Sequence, residues 1–234
     1  MLAGLFISVT RYRRGSTEIR RAIVCKWSSE LVSIAGLSVR AVGFPQGAER
    51  PVTLVANHTS WVDIFALNSQ RACHFIAKAE LRSWPLAGTL LANVGTIFIN
   101  RSDRRETHRL GSVVHELMNA GETVAVFPEG TTSVGRDVLK FHASLLEPVV
   151  AAGGEVWVVA IRYFAHNGRT DAASYVGEMN LLQSLKQIYN AGPLEAEVRF
   201  LKAIQCAGRT RREIATEAEA LIRAAVQSDE RASG

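Results

Sequence analysis

The run Asn57-His58-Thr59-Ser60-Trp61-Val62-Asp63 places an imidazole five positions before a carboxylate, directly after the apolar stretch Val52-Thr53-Leu54-Val55-Ala56. A histidine of ordinary pKa, about 6.5, is neutral and proton-accepting at cellular pH, and a carboxylate beside it fixes its tautomer and stabilises the imidazolium that forms. Such a pair makes a general base. Positions five apart on a regular helix point roughly 140° away from each other. The chain must therefore turn between His58 and Asp63, with Thr59 or Ser60 capping a short helix that carries the aspartate. The plain alternative for a single histidine after a strand is a loop or capping residue.

Two further segments put polar groups at the ends of apolar runs. In Gly95-Thr96-Ile97-Phe98-Ile99-Asn100-Arg101 a β-branched strand delivers an arginine, which can clamp a phosphate bidentately or simply begin a solvated loop. In Phe127-Pro128-Glu129-Gly130-Thr131-Thr132-Ser133 the proline stops a strand, Glu129 is presented from a rigid turn, and Gly130 allows close approach. The hydroxyls and N–H groups that follow suit an anion-binding nest, or equally an ordinary hydrogen-bonded turn.

The elements that must position these groups read as alternating strands and helices. Strands are expected near 52–56, 73–77, 96–100, 123–127, 155–162 and 196–201. Helices are expected from Thr17 to Ala35, with Ile23, Trp27, Leu31 and Ile34 on one face, from Arg104 to Ala120, and from Arg211 to Gln227. Apolar strands separated by helices predict a single α/β domain: a mostly parallel central sheet flanked by helices, with functional groups beyond the strands' carboxyl ends.

At 234 residues, 47% apolar and 21% charged, the chain has the length and composition of one large folded domain. We divide it into an amino-terminal amphipathic membrane-association segment (1–42), a catalytic domain (43–228) entered through a turn-rich linker at 43–47, and a tail (229–234). Cys25, Cys73 and Cys206 have neither the count nor the spacing of a disulfide frame or a zinc site, which fits a reducing compartment. A net charge of +5 and a pI near 9.4 point to an anionic partner. Basic residues are dense near the amino terminus (Arg11, Arg13, Arg14, Arg20, Arg21, Lys26), beside the apolar start Met1 to Val9, which is too short to span a bilayer. A surface anchor is expected there, with tryptophans and the basic helix seated among lipid headgroups.

Taken together, Asn-His-x-x-x-x-Asp, then Gly-x-x-Phe-Ile-x-Arg, then Phe-Pro-Glu-Gly-Thr resembles the glycerolipid acyltransferase family that includes bacterial 1-acylglycerol-3-phosphate acyltransferases. The intervening Phe75-Ile76-Ala77-Lys78-Ala79-Glu80-Leu81 and Trp84-Pro85 look like the family's segment between the first two motifs, and the likeness runs from about residue 40 to 225. The resemblance implies His58 as general base and Asp63 as its orienting acid. It implies that Arg101, on a strand shaped by Gly95 and Phe98, holds the acceptor's anionic head together with Glu129, Gly130, Thr131 and Thr132, with Lys78 a weaker candidate. It also implies no metal and no bound cofactor, the donor being acyl-coenzyme A or acyl carrier protein.

Where many members that use lysophosphatidic acid carry arginine, this chain has Thr132. Loss of a charge-assisted bond worth about 1.5–3 kcal/mol weakens the preference for a phosphate monoester, and a larger-headed lysophospholipid or a lyso-ornithine lipid becomes an equally natural acceptor. The expected activity is O-acyl transfer to a lyso-lipid hydroxyl in membrane lipid biosynthesis, at the cytoplasmic face of the cell membrane, peripheral or monotopic. A hydrolase using the same His-Asp pair on a thioester or ester is the competing enzymatic reading. A basic nucleic-acid-binding module is disfavoured, because the cations are not interleaved with stacking aromatics.

Overall fold

The computed structural model describes residues 16–43, 53–83, 95–99 and 104–228, together with positions 88 and 92. The apolar start, most of the expected linker, Arg101 and the 229–234 tail lie outside the described residues.

Strand β2 (Thr53–Ala56) is buried at every position, as a strand with helices on both faces must be. Its neighbours are β5 (Thr123–Val126) on one side and β6 (Glu155–Ala165) on the other, both parallel to it. Beyond β5 the sheet continues through β3 (Cys73–Lys78) to β4 (Ile97–Ile99), again in parallel. The expected single α/β domain with a mostly parallel central sheet is thus observed.

Beyond β6 the direction changes. Strand β8 (Leu194–Gln205) runs antiparallel to β6, and β1 (Leu37–Val42) lies parallel to β8 at the edge, giving the order β1-β8-β6-β2-β5-β3-β4. The short β7 (Gly168–Arg169) folds back on β6 as a hairpin. Phe164 pairs with Glu195, and Leu37 with Leu194. The carboxyl ends of β2 to β6 and the amino ends of β1 and β8 therefore share one edge of the sheet.

Alternation along the strands sorts side chains between two cores. Leu54, Phe75, Ala125 and Ile161 face a layer of helices α1 (Thr17–Ile34), α2 (Val62–Gln70) and α5 (Leu181–Ala191). Val55, Val124 and Val158 face α3 (Arg104–Asn119), α4 (Glu147–Ala152) and α6 (Arg211–Gln227). Ile214, Ala218 and Ile222 form the fully buried stripe of α6, the two isoleucines each stabilising the fold by about 1.5–3 kcal/mol.

Helix α1 forms where its periodicity predicts, but its packed stripe is one position out of phase with expectation. Val24, Ser28 and Val32 are buried, while Ile34 is 66% exposed and Ile19 lies open at the other end. Apolar residues surround this helix, so periodicity fixed the element and left its rotation open. The helix is part of the packed body: Trp27 meets Phe65 of α2 edge-on at 6.0 Å, and strand β1 follows directly into the sheet. Trp27 and Trp61 are half-buried against Phe65, so neither is the exposed headgroup anchor that was expected.

A buried ionic cluster ties the sheet to the end of helix α6. Arg162, fully enclosed on β6, donates Nε to Glu197 Oε1 of β8 at 2.9 Å and Nη1 to the carbonyls of Ala225 and Ser228 at the end of α6. Arg40 of β1 pairs with the other oxygen of Glu197. Both charges of the buried pair are thereby matched, the condition under which such burial is tolerated.

Candidate active site

The sequence turns sharply after β2, and Asn57 is what carries the ladder past the strand's end. Its Nδ2 donates to the Ile161 carbonyl at 2.9 Å and its Oδ1 accepts the Ile161 N–H at 2.7 Å, so a side chain substitutes for one more residue of β2–β6 pairing. His58 then emerges at the carboxyl edge. Helix α2 starts at Val62 and carries Asp63 in its first turn, as the five-residue spacing required.

The cap works in the reverse sense from expectation. The position before the helix is Trp61, which makes no side-chain cap. Instead the Asp63 carboxylate reaches back, its Oδ2 accepting the N–H groups of Thr59 at 2.6 Å and Ser60 at 2.8 Å, while Ser60 Oγ accepts the Val62 N–H at 3.3 Å. The same Oδ2 lies 2.9 Å from Nδ1 of His58. Oδ1 accepts the hydroxyl of Tyr163, from β6, at 2.5 Å. A carboxylate with no solvent exposure is thus fully satisfied and locked, and it holds the imidazole with Nε2 pointing away.

The imidazole is gripped on its face as well. Its ring stacks on Phe127 at 4.1 Å between centroids and 9° between planes, and Phe127 in turn stacks on Phe75 at 5.6 Å. The His58 side chain keeps 18% of its surface exposed, and its Nε2 makes no hydrogen bond among the described residues. The result is an oriented imidazole with one open nitrogen at the sheet edge.

Glu129 sits behind this histidine rather than in front of it. The residue is 2% exposed, and its Oε1 accepts the His58 backbone N–H at 2.6 Å while Oε2 accepts that of Leu139 at 2.8 Å. Burial raises its carboxyl above the ordinary value, and the two backbone donors and His58 pull it back. With both oxygens accepting backbone N–H groups, Glu129 braces the segment that carries His58, where the expectation was that it holds an anionic headgroup.

The rest of the third motif is organised the same way. Gly130 makes the turn, its N–H donating to the Phe127 carbonyl at 3.1 Å. Ser133 N–H donates to the His58 carbonyl at 2.8 Å. Thr132 donates its hydroxyl to the Tyr175 carbonyl, and Tyr175 N–H donates to the Thr59 carbonyl at 2.9 Å, so the 171–176 loop is sewn over both motifs. Thr131 is exposed beside them. Gly135 has φ +81°, and a Cβ there would meet Thr59 Oγ1 at 2.9 Å, so only glycine lets this loop close on the first motif.

The second motif is split by the fold. Gly95 lies at the amino edge of β4, with φ +79°, its carbonyl 2.9 Å from Nδ1 of His74 and no room for a Cβ against that ring. It shapes the entry to β4 and does not join His58. Phe98 pairs in register with Ala77 and lies under the Arg82 guanidinium, 5.9 Å from its carbon. Lys78 ends β3, and its side chain, like all of Arg101, lies outside the described residues. Among the described residues no group of three or more His, Cys, Asp or Glu side chains is placed to hold a metal ion.

A model of the family described as Acyltransferase matches residues 38–163, from β1 to Tyr163. This chain belongs to that acyltransferase family. The acyltransferase is 35% identical over 199 residues to a 1-acyl-sn-glycerol-3-phosphate acyltransferase of Neisseria gonorrhoeae, covering 82% of this chain and 78% of that one. It is 33% identical over 211 residues to a lyso-ornithine lipid O-acyltransferase of Pseudomonas aeruginosa, covering 90% and 80%. Its fold matches the crystal structure of the Thermotoga maritima 1-acyl-sn-glycerophosphate acyltransferase PlsC with a TM-score of 0.72 at 22% identity, across all of this chain and 91% of that one.

Two residues of the acyltransferase site escaped the sequence reading. Phe127 was visible as a strand end, and its place next to Pro128 and Glu129 in the motif was the available signal. Tyr163 had none, because its partner lies 100 residues away.

Proposed function

We propose that this acyltransferase moves a fatty acyl group from acyl-coenzyme A or acyl carrier protein to the free hydroxyl of a lyso-lipid, with His58 as general base. The observation that carries this reading is the locked pair: Nδ1 held 2.9 Å from Asp63, the ring clamped on Phe127, and Nε2 left open. Nδ1 donates its proton to the carboxylate, so the lone pair is on Nε2. That nitrogen takes the proton of the acceptor hydroxyl as its oxygen bonds to the thioester carbonyl carbon. The tetrahedral adduct collapses, the C–S bond breaks, and the leaving thiolate recovers the proton from the imidazolium. Asp63 and the π face of Phe127 both stabilise the cation formed in between. No covalent acyl-enzyme is needed.

The acceptor class rests on the relatives, which are named for acting on 1-acyl-sn-glycerol-3-phosphate and on lyso-ornithine lipid. Thr132 favours the acceptors without a phosphate monoester, because its hydroxyl is spent on the Tyr175 carbonyl and offers an anion no charge. Such acceptors live in a bilayer, and our reading seats the protein on the cytoplasmic face of the cell membrane, peripheral or monotopic. No described helix is long and apolar enough to cross it.

His58→Ala is expected to lower turnover by about 10²–10⁴-fold without loss of fold. Assaying each variant with a panel of lyso-lipids and both thioester donors measures diacyl product and free fatty acid together. Near-normal transfer by H58A ends the proposed mechanism, and fatty acid released at a rate indifferent to acceptor makes the protein a hydrolase.

A further inference from the structure

The exposed large apolar side chains are not scattered over the described surface. Ile34, Val134, Leu139, Leu182 and Tyr189 all lie at the sheet edge that carries His58. The topology places them there. Ile34 ends α1 just before β1, whose first residue pairs with the first of β8. Val134 and Leu139 stand in the loop that follows β5. Helix α5 bridges the 171–176 loop, which bonds to Thr59, and the start of β8, so both its ends lie at this edge.

Leu182 and Tyr189 are the most open, at 76% and 84% exposure. Seven residues apart on one helix, they form a single stripe with the exposed Lys186 between them, while Ser184 and Ile188 face inward. The opposite, inward face of α5 is what anchors the helix near the first motif, because Trp61 Nε1 donates to Ser184 Oγ at 3.0 Å. Ile19, the remaining exposed apolar side chain, sits at the opposite end of α1, near Arg21, which contacts Gly121 and Glu122 ahead of β5.

We propose that the rim around His58, led by Leu182, Lys186 and Tyr189 of α5, is the surface on which the protein docks to an anionic lipid leaflet, end-on. The claim rests on the proposed lyso-lipid acceptor, which must reach the open Nε2 from a bilayer. Exposed Arg136, Lys140 and Lys186 stand among the apolar groups and supply the attraction to anionic headgroups; Asp137 is paired with Arg223, and exposed Asp171 and Glu178 lie beside them in the loop before α5. An aliphatic, basic and aromatic stripe is the pattern of a helix lying in the headgroup layer.

The experiment compares wild type, L182D/Y189D and I19D by co-sedimentation with vesicles of phosphatidylcholine and phosphatidylglycerol, and by transfer to two acceptors. One acceptor is a long-chain lyso-lipid presented in the vesicles, the other a short-chain analogue dissolved as monomer. L182D/Y189D should bind vesicles about tenfold or more weakly and lose transfer to the vesicle acceptor in proportion, with transfer to the soluble acceptor unchanged. I19D should match wild type throughout. Equal loss in I19D, or normal vesicle binding by L182D/Y189D, overturns the proposal. So does a dimer that L182D/Y189D disperses in analytical sedimentation while vesicle binding stays intact, which would make the rim a contact between copies. If wild type transfers to neither acceptor, the lyso-lipid reading has failed, and the binding comparison still decides the docking surface.

Discussion

Tyr163 decides how the charge of Asp63 is shared. Its hydroxyl donates to Oδ1 at 2.5 Å, drawing negative charge away from Oδ2, the oxygen that faces His58. Burial, followed by the neighbouring carboxylate, raises the phenol well above its ordinary value, so it stays a donor at every pH the enzyme meets. Tyr163→Phe removes the donor with little change in volume. Asp63 Oδ1 is then buried with no donor, so thermal or urea unfolding should report a loss of about 1.5–3 kcal/mol. A change below about 0.5 kcal/mol would assign Tyr163 to packing alone. The pairing of residues 58 and 63 was legible because both belong to one short segment. The tyrosine and the bracing role of Glu129 were not, since a long-range hydrogen bond leaves no trace in spacing.

Asn57 sits between strand β2 and the turn that carries His58, and its carboxamide makes both ladder bonds to Ile161. Asn57→Ala leaves a buried N–H and a buried carbonyl without partners, so unfolding in urea should report a loss of about 2–4 kcal/mol. A loss under about 1 kcal/mol would mean that water or neighbouring groups satisfy Ile161 instead. The strands themselves were readable from their apolar runs, and α2 from the need to turn between His58 and Asp63. Two elements of the docking rim were not read. Helix α5 had a signal in its capping box, Asn180 with Gln183, whose reciprocal bonds are 2.9 and 2.8 Å. Strand β1 had its alternation, Leu37 to Val42, hidden behind a helix whose apolar residues run all round. The reversed direction of β8 had no signal, because alternation is the same read either way.

At the scale of the whole molecule, a net charge of +5 and an apolar rim at one end fit the proposed seating on anionic lipid, in which two weak forces act together. Salt or alkaline carbonate should therefore release it from membranes more readily than a spanning protein; a fraction freed only by detergent would count against peripheral seating. The sheet's edge adds a constraint on synthesis. Among the described residues strand β1 pairs with β8 alone, and Ser38 meets Leu194 across 156 residues of sequence. The first strand to leave the ribosome must wait for the last before it finds a partner. Ile34 and the carboxyl end of α5 reach the same edge only as that closure happens, so the proposed lipid-facing rim is completed in the final act of folding, and a half-made chain has no finished grip on the bilayer.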